Sequence, residues 1–232
     1  MTPDVQQVNV RTRGLQADIS TGLFLISLTC GLIDATCFLA LGGVFAEMMT
    51  GNLLLIGLSL APGGEAGHVA DNGWALLAFS AGAVACGIRL RRPRQNPAVR
   101  SEFLFVWLAV VVAATLTTIV DPLREPRVAQ WVVVLLACGM GIQTVLVRRF
   151  GVPDLATNVM TLTWAGIMAD ARLFGGDGNS ATRRLLSIGM FFAGAGLGAV
   201  LLAFGPHWPL WTAVAVYTAA LPSLLRGERQ PD

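Results

Sequence analysis

Apolar residues in this chain run in long stretches rather than recurring every second or every three to four positions. Six stretches, at about 19–41, 73–90, 102–120, 128–147, 185–204 and 208–225, are long enough, or nearly so, to cross roughly 30 Å of hydrocarbon as helices. Two more, 45–61 and 154–169, are short. Each short stretch follows a long one after a glycine-containing break: Gly42-Gly43 in the first case, the run from Arg148 to Pro153 in the second. Pro153 suits the first position of a helix, where its missing N–H costs nothing. The pattern predicts an all-α membrane protein with six transmembrane helices and two short re-entrant or half helices.

The recurrence of long, short, long, long suggests an internal repeat. Sliding the chain by 109 residues brings Gly42 onto Gly151, Leu53 onto Leu162, Gly57 onto Gly166, and Leu76-Leu77 onto Leu185-Leu186. Asp34 falls opposite Gln143. A polar N-terminal tail, 1–14, then precedes a single transmembrane domain, 15–226, made of repeat A at about 15–122 and repeat B at about 124–226. The first apolar run is too long for the core of a secretory signal and reads as a retained span.

Composition narrows the class. The chain has 232 residues, 54% hydrophobic and 13% charged, with a mean hydropathy of +0.65. Soluble domains carry about 25% charge, so there is too little polar surface here to coat a globule. There is no lysine, and all 16 basic residues are arginine. With eight crossings the arginines divide 9 to 7 between the two sides, which is no bias. With seven crossings and only the second short segment re-entrant they divide 12 to 4. With six crossings and both short segments returning to their own side, only Arg124 and Arg127 lie outside and the other 14 lie inside. That split matches the excess of arginine in cytoplasmic loops and puts both termini in the cytoplasm. Each half then makes three crossings, so the halves are oppositely oriented: a 3+3 inverted repeat.

Acidic residues deep in apolar runs are two, Asp34 and Glu47. A carboxylate at membrane depth costs roughly 2.5–3.5 kcal/mol, so Asp34 faces a partner or a cavity, as a coupling or substrate-binding group or as a packing hydrogen bond. Glu47 is expected in the first turn of the first short helix, beside Thr50, Gly51 and Asn52. The second short helix carries Asp154, Thr157, Asn158 and Thr161, one polar face by their spacing of three and four. This face is expected to turn inward, toward Gln143 and the first repeat. Both helix starts offer backbone N–H groups for an anion or carbonyl ligand. Arg148 and Arg149 either snorkel to the interface or form a cytoplasmic gate with Asp154 or Asp170. Gly82, Gly87 and the run Gly189 to Gly198 permit close helix crossings, inside the chain or in a homodimer.

Enzyme signatures are absent from the sequence: no nucleophile elbow, no H-E-x-x-H, no phosphate loop. Cys30, Cys37, Cys86 and Cys138 sit singly in apolar runs, remote from His68 and His207, and read as small packing residues rather than a metal or redox site. No cofactor is expected. Without a basic stripe bearing aromatics, nucleic-acid binding is not expected either.

The runs Gly31-Leu32-Ile33-Asp34-Ala35, Leu39 to Phe45 and Met49-Thr50-Gly51-Asn52, with Gly141-Ile142-Gln143 and Gly151 to Thr157 in the second half, resemble the signatures of the YoaK-like family of bacterial integral membrane proteins (DUF1275). The resemblance covers nearly the whole chain. It implies a bacterial inner-membrane protein of about six spans whose function is not established. It favours Asp34, Thr50, Asn52, Gln143 and Asp154 as site residues, and it implies neutral residues at positions 47 and 48, where this chain departs with Glu47. Interrupted helices in inverted repeats place solute and ion sites near the midplane. The leading expectation is therefore a small secondary transporter of small organic solutes, with export the candidate direction. The alternatives are a passive channel or facilitator and a non-transporting scaffold or partner subunit.

Overall fold

The structure is a computed structural model that describes residues 3–62, 66–91, 97–149, 160–169 and 181–227. The described residues form these helices: α1 Pro3–Ala40, α2 Met49–Ser59, α3 Ala66–Leu90, α4 Pro97–Ile119, α5 Pro126–Arg149, α6 Met160–Ala169, α7 Ala181–Leu201 and α8 His207–Gly227, with a 3-10 turn at Leu202–Phe204. Six helices are long and apolar enough to cross a membrane: Ile19–Ala40, Gly67–Leu90, Val99–Ile119, Pro126–Arg149, Ala181–Phe204 and His207–Arg226. α2, of 11 residues, spans about 16 Å at 1.5 Å per residue, roughly half the hydrocarbon thickness.

Element boundaries follow local chemistry. α1 starts at Pro3, so the expected polar tail is continuous with the first span; no proline interrupts the chain between Pro3 and Pro62. Pro97 and Pro126 open α4 and α5, where a missing N–H leaves nothing unpaired. α1 stops where Gly42 and Gly43 take φ of 101° and 73°, a region open to glycine and costly for other residues.

α1 and α5 form the centre, with 61% of each spanning window buried against 17% for α3 and α7. α1 packs on α7 and α8, α5 packs on α3 and α4, and α4 closes on α8. Leu23, Ile26, Ile33, Leu136, Met140 and Leu210 are fully enclosed between them. Trp107 donates its indole N–H to Thr218 at 2.8 Å, and Trp211 donates to Thr118 at 3.1 Å, tying α4 to α8. α2 leans on α3, and α6 on α7.

Two crossings bring helix backbones together. A Cβ at Gly31 would run into the carbonyl of Phe191, and one at Gly194 into that of Leu28, at the α1–α7 crossing. A Cβ at Gly82 would strike the carbonyl of Cys138, and one at Gly141 that of Phe79, at the α3–α5 crossing. Gly82, Gly194 and Gly198 therefore serve packing within the chain. Gly87, Gly189 and Gly196 have open space where a Cβ would stand.

Candidate functional site

The break between α1 and α2 is built from the residues of the first signature. Asp34, on α1 and 3% exposed, takes up three successive backbone amides. Its Oδ1 accepts from the N–H of Ala46 and of Glu47, both at 2.8 Å, and its Oδ2 accepts from Met48 at 3.2 Å. Hydrogen bonds to an ionised acceptor are about twice as strong as neutral ones, and the amides would otherwise be orphans at membrane depth. Asn52 completes the fold-back. Its side-chain amide grips the backbone of Phe45 from both ends, accepting from the N–H at 2.9 Å and donating to the carbonyl at 2.8 Å. The Phe45 ring stacks on Phe38 with centroids 4.7 Å apart. Gly51 lies under that ring, where a Cβ would come within 2.8 Å of it.

This arrangement changes three expectations. Residues 45–48 are not helix; they are spent on the fold-back, so α2 starts at Met49 and Glu47 precedes its first turn. The amides that Asp34 holds, of Ala46, Glu47 and Met48, precede this helix and are not open to an anion. Asp34 meets its surroundings through the backbone of Glu47 and Met48 rather than through an open carboxylate.

Between α2, α3, α6 and α7 lies a cavity of about 620 Å³. Glu47 and Thr50 reach it from the first short segment, and Thr161 from the second. Glu47 is 6% exposed and lies against Cys30, while Thr50 and Thr161 are open. The rest of its described wall is apolar, with Phe79 from α3, Trp164 from α6 and Phe192 from α7 among the large side chains. The volume lies within the roughly 300–1,000 Å³ of ordinary small-molecule sites. Among the described lining, Asp34, Gly51, Asn52 and Gln143 do not reach it.

Gln143 sits behind this wall. It is 1% exposed and donates to Cys30 Sγ at 3.1 Å. Its Oε1 and the hydroxyl of Tyr217 are both buried with no hydrogen-bond partner among the described residues. Asp154, Thr157 and Asn158 lie outside the described residues, as does the expected start of the second short helix; the described helix there begins at Met160. Arg148 and Arg149 are exposed in the last turn of α5, where a cation complements the helix dipole. The carboxylates expected to pair with them as a gate, Asp154 and Asp170, lie outside the described residues too.

Among the buried polar groups not picked out from sequence are Glu102, Asn72 and Tyr217. Glu102, in α4, is 3% exposed and meets Arg89 of α3 at 2.8 Å; it stands at the edge of its apolar run, where counting by span treats it as interfacial. Asn72 is fully buried and donates to the His68 carbonyl at 2.7 Å. Tyr217 is the single tyrosine of the chain, inside an apolar run of α8, and that isolation is a usable signal. The four cysteines are free, and the described residues contain no cluster able to hold a metal ion.

Residues 22–222 match the family model described as a protein of unknown function, DUF1275. The chain belongs to this family. The DUF1275 match takes in the whole fold-back and all or most of each of the six spanning helices. The chain is also 28% identical over 160 residues to the UPF0700 transmembrane protein YoaK of Bacillus subtilis (strain 168), covering 67% of this chain and 69% of that protein. No solved structure matches.

In this DUF1275 chain the Asn52 clamp offers a direct test. Replacing Asn52 with the near-isosteric leucine strands the Phe45 N–H and carbonyl, at roughly 1–3 kcal/mol for each buried group. Asn52→Leu is expected to lower the unfolding midpoint in detergent markedly. Asn52→Asp keeps the acceptor, loses the donor, and sets an oxygen against the Phe45 carbonyl; it should also destabilise. A clamp variant with wild-type stability would show that the two hydrogen bonds do not hold the fold-back.

Proposed function

We propose that this multi-pass membrane protein is a small secondary transporter of small organic solutes, and that the cavity between α2 and α6 is its solute site. The observation that carries this reading is the shared cavity: the two short helices, one from each half of the chain, open onto the same space. Helices too short to cross suit a bilayer only when their ends are buried or line a wet cavity.

An inverted repeat is part of the proposal. Its support is that the packing survives exchange of the halves. α1 on α7 corresponds to α5 on α3, α1 on α8 to α5 on α4, and α2 on α3 to α6 on α7. The glycines follow the same rule: Gly31 and Gly194 at one crossing, Gly141 and Gly82 at the other. We place the protein in the bacterial inner membrane with both termini cytoplasmic and α2 and α6 re-entrant, on the strength of the arginine distribution. Glu47 is the carboxylate at the cavity wall and takes the coupling role. Asp34 positions it by holding its backbone N–H.

The test is flux into proteoliposomes under an imposed pH gradient, across a broad panel of small organic solutes. The wild type should accumulate at least one solute against its gradient. Glu47→Gln should lower gradient-driven uptake by about tenfold or more, the size expected for a positioned proton-transfer group. Solute flux indifferent to every ion gradient would turn the reading to a facilitator. An inert protein with the whole panel would leave a scaffold.

A further inference from the structure

The geometry points to a second binding site, for a small organic ammonium ion, at the turn that ends α1. A pocket of about 230 Å³ lies where the end of α1 meets α3 and the start of α5. Among the described lining it shares no residue with the cavity between α2 and α6, so binding here does not depend on the transporter reading.

Asp71 of α3 sets the charge. Its Oδ1 accepts from Gln130 Nε2 of α5 at 3.0 Å. The partner is an amide, so this bond leaves the charge of the carboxylate in place. Gln130 turns its nitrogen to Asp71, which leaves its own oxygen as a further acceptor. Among the described lining Asp71 is the single ionisable side chain. Arg124 and Arg127, close by in sequence, are not part of that lining, and Arg124 is paired with Asp121 at 3.3 Å. Asp71 and Gln130 are half-buried, and a partly buried charge is screened less by salt than an exposed one.

The end of α1 works in the same direction. Ala40, Leu41 and Gly42 line the pocket. Leu41 returns its N–H to the Cys37 carbonyl at 3.1 Å, and Gly42 then leaves the helix at a φ of 101°. The last carbonyls of a helix have no amide within it, and that end carries partial negative charge. A carboxylate, an amide oxygen and a helix C-terminus together favour a positive guest.

The lining decides which kind of cation fits. Leu41, Val44, Pro122, Pro126 and Val133 make most of the described wall apolar. A calcium or magnesium ion gathers six or more oxygens, and this wall offers one carboxylate. An ammonium on an alkyl chain needs a carboxylate, one or two further acceptors and an apolar surface. The volume is below the roughly 300–1,000 Å³ of drug-sized sites, so the chain is short.

The test titrates propylammonium and its neutral analogue, propan-1-ol, into the purified full-length protein in neutral detergent, followed by calorimetry. The wild type should bind propylammonium saturably and about tenfold or more tighter than propan-1-ol. Asp71→Asn keeps an acceptor for Gln130 and removes the charge; it should weaken the ammonium by about tenfold and leave the alcohol unchanged. Leu123→Arg places a guanidinium on the pocket wall at a position 67% exposed. It should weaken the ammonium similarly without lowering the unfolding midpoint. Glu47→Gln, in the other cavity, should leave both affinities unchanged. Equal binding of the two probes, or an ammonium affinity indifferent to both Asp71→Asn and Leu123→Arg, would overturn the site. Loss of binding in Glu47→Gln would move it to the other cavity and overturn it equally. Displacement of propylammonium by sodium chloride at equal concentration would make the occupant an inorganic cation and overturn the organic assignment.

Discussion

Asp34→Ala is expected to cost on the order of 3 kcal/mol or more of stability, because it strands three backbone amides at once and each buried orphan costs about 1–3 kcal/mol. The amides of Ala46, Glu47 and Met48 have no helical carbonyl to turn to, since α2 begins only at Met49. In water such a loss would be softened by solvation; at membrane depth it is not. Asp34→Asn should cost about half as much, keeping one oxygen for two amides while losing the charge and one acceptor. The measurement is the unfolding midpoint in detergent, with retention of secondary structure as the control for insertion. An Asp34→Ala protein as stable as wild type would show that these three hydrogen bonds do not hold the fold-back. The order of effects also separates roles: a purely coupling carboxylate would lose flux in Asp34→Asn without losing stability.

The second large effect is expected at the glycine crossings. Gly31→Val and Gly194→Val at α1–α7, and Gly82→Val and Gly141→Val at α3–α5, each drive a side chain into a facing carbonyl. Overpacking a core commonly costs about 1–3 kcal/mol, and here the obstacle is backbone, which cannot rotate away. The top of that range or beyond is expected at all four positions, with similar values at the two crossings if the halves are related. Gly87→Ala, Gly189→Ala and Gly196→Ala meet open space and should be neutral within about 0.5 kcal/mol or slightly stabilising through helix propensity. Both series can be read from unfolding midpoints. Destabilisation at Gly87, Gly189 or Gly196 equal to that at Gly82 would mean that this face is covered, as in a homodimer.

Much of this architecture was legible in the sequence because membrane helices announce themselves by length. The six spans needed only a count of apolar residues, and Gly42-Gly43 marked the first break because the turn needs positive φ there. The chemistry of the break was less legible. Sequence flagged Asp34, Gly51 and Asn52 as candidates for a solute site, yet the structure uses them to fold the chain back on itself. Buried polar residues draw notice either way, since a carboxylate or amide that satisfies backbone and one that meets a solute look identical in a linear sequence. What separates them is which amides lie within 3 Å, and that depends on a turn only the folded chain displays. Glu102 went unnoticed for the opposite reason, since its partner Arg89 sits on the neighbouring helix, among arginines counted for topology. Thr50 and Thr161 belong together only because α2 and α6 are brought to one cavity, from positions over 100 residues apart.

Whether solute reaches one cavity between α2 and α6 from both sides of the membrane can be measured without a substrate. Cys30, Cys37, Cys86 and Cys138 are replaced by alanine or serine, and single cysteines are placed at Thr50 and at Thr161. A membrane-impermeant maleimide is then applied to right-side-out and to inside-out vesicles. Alternating exposure of a single site predicts labelling of both positions from either face. Protection of both positions from both faces would contradict a transport pathway at this cavity.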